Sequence, residues 1–299
     1  NPIHYLLSLG GKRIRPVLCL LTYSLFKSDW EKQVPAALSV EIFHNFTLMH
    51  DDIMDKAPIR RGKQTVHEKW NDNIAILSGD VMLVNAYQYL NKVQGLSLEA
   101  FQHLLGRLSR IAAEVCEGQQ FDMNFESRDD VTVEEYIEMI RLKTSVLIGF
   151  SMEMGGLLAS VPSSVSDSLY RIGETIGLGF QLKDDLLDVY GDPEKFGKQP
   201  GGDILANKKT YLLIKAFEKA TGSLLEDLAR WVSATEYDAT EKVQAVTAIY
   251  DSLNLKAETE SVIASYFDAA FVEIQALVIS EEQKSALVKF MSGLVDREV

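Results

Sequence analysis

Cysteine is scarce: Cys19 and Cys116 are the two in 299 residues. A scaffold held together by a disulfide framework is therefore excluded. Both thiols sit in apolar helical stretches and are expected to be buried and reduced, although one bridge between them stays open. Long apolar runs are missing too, and none reaches the ~18–20 residues that a membrane span requires. Neither end carries a signal peptide or a lipidation motif, so a soluble, cytoplasmic protein without a membrane span is expected. Positive charge is in deficit, with 30 Lys and Arg against 43 Asp and Glu and a net charge of −13. Nucleic acid is excluded as a partner, because no basic excess exists to neutralise its phosphates. No Ser-His-Asp arrangement, zinc-ligand spacing or nucleotide loop appears, and Gly-Gly-Lys-Arg at 10–13 lacks Walker spacing. Strand-like alternation, low-complexity runs, linkers and fixed-period repeats are absent as well.

What remains is helix. Hydrophobic residues make up 46% and charged residues 24%, ample material for a core. Thr65-Val-His-Glu68, Thr132-Val-Glu-Glu135 and Ser280-Glu-Glu-Gln283 each fit a capping box. Breaks fall at Gly10-Gly11, Pro58, Gly95, Pro162, Asp192-Pro193, Pro200-Gly201-Gly202 and Gly222. Between them the spacing predicts long helices over 36–56, 66–92, 98–121, 133–160 and 165–190, forming a central bundle. Shorter helices fill 207–297. The expected architecture is all-α: a single domain over 1–299, a bundle of long antiparallel helices around a central cavity.

Two acidic clusters stand out. Asp51-Asp52-Ile-Met-Asp55 puts two carboxylates four residues apart, on one helix face, with a third beside them. Three carboxylates this close repel, and a divalent cation relieves the cost most simply. All-oxygen donors suit Mg²⁺, which keeps water and shares its shell with substrate phosphates. A lone cluster of this kind is often only solvated surface. Here Phe43, Phe46, Leu48, Met49, Ile53 and Met54 surround it, which describes a buried helix with an acidic patch facing a cavity. Asp184, Asp185 and Asp188 repeat the spacing inside another apolar stretch, 133 residues on. Facing one another across a bundle, the two clusters could clamp several Mg²⁺ ions and a diphosphate. The six aspartates account for less than half of the net charge; the rest reads as ordinary surface.

Cations recur beside flexible backbone. Lys12, Arg13 and Arg15 follow Gly10-Gly11; Arg60-Arg61-Gly62 follows the first cluster; Lys143-Thr144 lies mid-helix; Lys198, Lys208 and Lys209 flank a glycine-rich loop. Each alone would be an ordinary salt-bridge partner, but Arg suits phosphate through its bidentate fork. His is a poor Mg²⁺ ligand, so His44 and His50 are not metal ligands. His44 shares the Asp51 face and could donate to phosphate.

Taken in order, GGKRIRP, HDDIMD, RRG, Gly79-Asp80, Gly118-Gln119 with Asp122, Lys143-Thr144, FQLKDDLLD and GKQPGGDILANKKTY resemble the trans-isoprenyl diphosphate synthase (polyprenyl synthetase) family, which includes farnesyl and geranylgeranyl diphosphate synthases. The resemblance runs from Gly10 to about Tyr211. It implies an isopentenyl diphosphate site at Lys12, Arg15, His44 and Arg61, and an allylic diphosphate site at Arg60, Lys143, Thr144, Gln181, Lys198 and Lys208. It implies direct Mg²⁺ ligation by Asp51, Asp55 and Asp184, supported by Asp52, Asp185 and Asp188, with Mn²⁺ able to substitute. The dipoles of Gln181 and of the backbone carbonyl at Lys143-Thr144 would face an allylic carbocation. A homodimer is also implied. Two departures are evident: the family carries about one more helix before GGK, so the chain looks trimmed there, and Asp296-Arg297-Glu298-Val299 offers one cation for closing a site.

Two other functions compete. A terpene cyclase would share the fold and metal-triggered ionisation, but not a second Asp-rich cluster or GGKRIRP, and fold alone never decides function. A non-catalytic partner subunit would be expected to show an eroded cluster, and both are intact. Product length turns on the helix before Asp51. Phe46, five residues earlier, occupies the position where the family places a bulky limiting ring, with Phe43 three residues deeper and the small Thr47 four residues before Asp51. C20 is favoured over C15.

Overall fold

The computed structural model describes residues 1–192 and 201–295, without the Val295 side chain. Long helices dominate, as expected for an all-α chain. α1 (Pro2–Ser8) and α2 (Ile14–Ser24) are followed by α3 (Val34–Met54), α4 (Val66–Lys69) and α5 (Asp72–Leu90). α6 (Leu98–Phe125), α7 (Val133–Ile140), α8 (Val146–Ala159) and α9 (Ser163–Tyr190) follow. From residue 202 on come helices Gly202–Leu205, Tyr211–Lys219, Ser223–Ser233, Ala239–Ser252, Leu255–Ala276 and Glu281–Val295. No helix among the described residues is long and apolar enough to cross a membrane.

The chain forms two compact units. The first comprises Asn1–Ala113, Leu147–Gly173 and Ile274–Leu287. Its core includes Leu18, Val40, Phe43, Met82, Leu108 and Phe150, all at most 1% exposed. Burying each such side chain contributes roughly 1.5–3 kcal/mol. Arg107 makes a bidentate pair with Glu153, Nε to Oε1 at 2.8 Å and Nη2 to Oε2 at 2.7 Å, so a carboxylate in this core is fully answered. The second unit comprises Glu114–Val146, Glu174–Glu273 and Val288–Val299. Leu182, Leu228, Tyr250 and Phe267 are among its buried residues.

Several local expectations are corrected. The helix expected over 66–92 breaks at Trp70-Asn71, because Asn71 is extended and its side chain accepts from Ile74 N at 2.9 Å, capping α5 afresh. Capping boxes form at Thr132/Glu135 and Ser280/Gln283. None forms at Thr65, whose hydroxyl donates instead to Ala57 O at 2.7 Å. The segment 133–160 is interrupted by a π-helical turn, Arg141–Ser145. One small hairpin appears in the helical chain: Ile59–Arg60 pairs with Lys63–Gln64 around Arg61 and Gly62, both at positive φ. Cys19 is buried as expected, but Cys116 is exposed, because it lies on the outward face of α6.

Candidate active site

The first acidic cluster ends a helix. α3 stops at Met54, and Asp55 is its exposed C-cap, with no basic residue in the last turn. Backbone carbonyls give that end a partial negative charge, so three carboxylates there are electrostatically costly until a cation arrives. Arg60, carried on the hairpin, supplies part of that charge. Its Nε lies 2.8 Å from both Asp52 oxygens, and its Nη2 lies 3.5 Å from Asp51 Oδ2. Burial pushes the Asp52 carboxyl up against the pull of this guanidinium. Asp52 is thus held by protein, as a supporting carboxylate would be. Met54, expected in the buried surround, is exposed, whereas Phe43, Phe46 and Met49 are buried.

Lys12, Arg15, His44 and Arg61, expected from the resemblance to bind isopentenyl diphosphate, lie on the same unit. Arg15 Nη1 lies 3.2 Å from His44 Nε2. A guanidinium has no acceptor, so in this contact the ring nitrogen accepts from Arg15. Burial, then Arg15, Arg61, Arg60 and Arg13, depress the His44 pKa well below its usual value, leaving it neutral among four guanidiniums. Arg61 donates to Gly10 O and packs over Gly11, where a Cβ would meet its Cζ at 2.6 Å. Arg61 holds φ at +52°, a left-handed conformation uncommon for a side-chain-bearing residue. Lys12 is exposed in the loop before α2. Arg13 turns away to Glu41 and to Leu7 O, so it serves the fold.

The second cluster repeats the theme on α9, close to its end at Tyr190 and again without a basic residue in the last turn. Asp185 is buried and accepts from Tyr136 Oη at 2.6 Å and from Gln181 Nε2 at 2.8 Å. Burial, and then the Asp203 carboxylate, push its pKa up to about 7. Thr144 Oγ1 donates to Gln181 Oε1 at 3.0 Å, so Thr144, Gln181 and Asp185 form one chain that fixes the amide orientation. Asp188 accepts from the backbone N–H of Asp203 at 2.8 Å and, through its main-chain carbonyl, from Gly201. Lys143 donates to Asp122 at 2.6 Å; against burial, Lys208 and Lys143 hold that carboxyl below the usual range. Lys198 lies outside the described residues, as does Asp296–Val299.

Asp203 and Tyr136 escaped the reading of the sequence. Asp203 stands inside the GKQPGGDILANKKTY run, which was its available signal. Tyr136 carries none, since it meets Asp185 from 49 residues away.

The π turn at Lys143-Thr144 depends on Gly118 of α6: a Cβ there would lie 2.3 Å from Lys143 N. Backbone cannot yield as a side-chain tip can. Gly118→Ala is therefore expected to cost ~1–3 kcal/mol of stability by overpacking, measured by urea melts.

Among the described residues no three Asp, Glu, His or Cys side chains already form a ligand group for a metal. The donors nevertheless fit Mg²⁺, which takes one or two carboxylates and completes its shell with water and phosphate rather than a protein cage.

Each of the two acidic clusters thus has a basic side chain bonded to a carboxylate in its own unit, Arg60 to Asp52 in the first and Lys143 to Asp122 in the second. Residues 1–251 match the polyprenyl synthetase family. A geranylgeranyl diphosphate synthase of Methanosarcina mazei is 43% identical over 215 residues, 72% of this chain and 66% of that protein. Another, of Saccharolobus solfataricus, is 35% identical over 289 residues, covering 96% of this chain and 86% of that one. A crystal structure of a geranylgeranyl pyrophosphate synthase superposes with a TM-score of 0.93 at 44% identity, covering 100% and 91% of the two chains. The chain belongs to the polyprenyl synthetase family.

Proposed function

We propose that this prenyltransferase condenses isopentenyl diphosphate head-to-tail with allylic diphosphates and releases a C20 diphosphate. The observation that carries the reading is that a helix rich in carboxylates near its end, with cations beside it, occurs twice: Arg60 contacts Asp51 and Asp52, and Lys143 contacts Asp122 in the unit that holds Asp184, Asp185 and Asp188.

In this reading Asp51, Asp55 and Asp184 hold Mg²⁺, or Mn²⁺, with Asp52, Asp185 and Asp188 in support. The metal when bound supplies charge neutralisation to the leaving diphosphate. Arg60, Lys143, Lys198 and Lys208 grip that diphosphate, and their charge favours departure of the allylic C–O bond's electron pair. Gln181, fixed by Thr144 and Asp185, and the carbonyl at Lys143-Thr144 direct negative dipoles toward the allylic carbon. Lys12, Arg15, His44 and Arg61 orient isopentenyl diphosphate so that its double bond attacks. The released diphosphate takes the proton, and no protein base is required. A homodimer accords with α5, which exposes Leu77, Val81 and Val84 at 65%, 50% and 56%, an apolar stripe at helical spacing that a second copy would cover.

Incubating the purified chain alone with isopentenyl diphosphate and each allylic primer tests the reading, with chromatography of the products. Acyclic prenyl diphosphates are expected. Cyclic hydrocarbons would indicate a terpene cyclase, and no turnover without another protein would indicate a partner subunit. Arg61→Ala is expected to raise the KM for isopentenyl diphosphate by ~10-fold or more through a lost charge-assisted contact. An equal rise for the allylic substrate would refute the division of sites.

A further inference from the structure

The turn that carries Lys208 is braced from behind by a lysine that no motif marks. Lys242, on the helix Ala239–Ser252, is 0% exposed. Its Nζ donates to Asn207 Oδ1 at 2.7 Å and lies 4.2 Å from the Tyr237 ring centroid. Lysine is almost never fully buried unless paired, and here the hydrogen-bond partner is a neutral amide. Burial pushes its pKa down, so the chain bears a cost to keep an ammonium at this spot.

Asn207 shows what the ammonium is for. It holds φ at +51° and donates from Nδ2 to Val232 O at 3.0 Å. Its side chain therefore ties the turn to the end of Ser223–Ser233 and, through Lys242, to Ala239–Ser252. The turn itself is slight: a four-residue helix, then Lys208 N to Asp203 O at 2.9 Å and Thr210 N to Lys208 O at 2.8 Å. Tyr237, under the ammonium, donates to Leu205 O at 3.2 Å, another tie to the same turn. Lys242, Asn207, Lys208, Thr210 and Tyr250 line one cavity. The next residue after the brace is Lys208, whose charge acts on Asp122, together with Lys143, and on Asp185.

We propose that Lys242 is a positioning residue for allylic diphosphate binding: by fixing Asn207 in its left-handed conformation it sets where the Lys208 ammonium stands. This rests on the place of Lys208 in the allylic site proposed above. Lys242→Met keeps the apolar stem and removes the hydrogen-bond donor. Asn207→Gly keeps the positive φ and removes the acceptor.

Steady-state kinetics of these variants, Lys208→Ala and the Lys208→Ala/Lys242→Met double variant would be measured with dimethylallyl diphosphate and isopentenyl diphosphate, with thermal melting in parallel. Lys208→Ala is expected to raise the dimethylallyl diphosphate KM about tenfold, the loss of one charge-assisted contact. Lys242→Met is expected to raise the same KM and leave the isopentenyl diphosphate KM unchanged. The double variant should be no worse than Lys208→Ala, because the brace acts through that lysine. If Lys208→Ala raises the KM and Lys242→Met does not, or if Lys242→Met weakens both substrates alike or adds in full, the positioning role is overturned. An unchanged KM in Lys208→Ala removes Lys208 from the allylic site and takes the proposal with it. Should Lys242→Met not fold, Asn207→Gly carries the same comparison.

Discussion

Replacing Asp51 or Asp184 with Asn is expected to cut turnover by at least ~10²-fold, through lost stabilisation of the leaving diphosphate. Treatment with EDTA should abolish activity, and Mg²⁺ or Mn²⁺ should restore it. The fold gives a specific reason to expect activity to fall without gross unfolding. Asp51 lies in the last turn of α3, which has no basic residue; negative charge there is repelled by the backbone dipole, so its placement is poorly explained by helix stability. Asp52 and Asp185 are buried and bonded to Arg60, Tyr136 and Gln181. Truncating either of these leaves buried partners unsatisfied and costs ~1–3 kcal/mol, more where the partner is charged. Asp51→Asn and Asp184→Asn keep side-chain volume and a hydrogen-bonding oxygen and should lose far more activity than stability, whereas Asp52→Ala and Asp185→Ala should lose both. Near-normal rates in EDTA, or in either Asn variant, would sink the two-cluster assignment.

The second large effect is on product length. Phe46 is 7% exposed, its ring 4.9 Å from the His50 ring and 5.6 Å from Phe43, which is fully buried. His50 in turn fills the space over Gly79, where a Cβ would lie 2.3 Å from Nε2. A cluster of three rings in tilted and edge-on contact therefore sits on α3 just before the first acidic cluster, backed by α5. If that ring cluster closes the space available to the growing chain, Phe46→Ala should shift products to longer prenyl diphosphates with the first condensation largely intact. Phe43→Ala should lengthen them further only in the Phe46→Ala background, since the deeper ring matters once the upper one is gone. Tight packing predicts a stability loss of ~3–5 kcal/mol, so melting must accompany chromatography. A well-folded Phe46→Ala enzyme with unchanged products would place the limit elsewhere and remove the main support for C20.

The sequence by itself determined the all-α class and the existence of two acidic clusters, because both are local properties. Helical periodicity and Asp spacing at i and i+4 are written within a turn or two of chain, and no distant residue is needed to read them. The cations of GGKRIRP, RRG and Lys143-Thr144 were legible for the same reason, in their order along the chain. Tertiary structure decided which of these groups answer to one another. It turned Arg13 to Glu41 and left Arg15 on His44; it gave Arg60 to Asp52, Tyr136 to Asp185 and Lys242 to Asn207. It also exposed Cys116 and spent the Thr65 hydroxyl on Ala57 rather than on a cap. Burial and partner choice depend on segments tens of residues away, whose approach is set by packing. A buried polar group takes whichever partner that packing brings within ~3 Å, and no local pattern records the outcome.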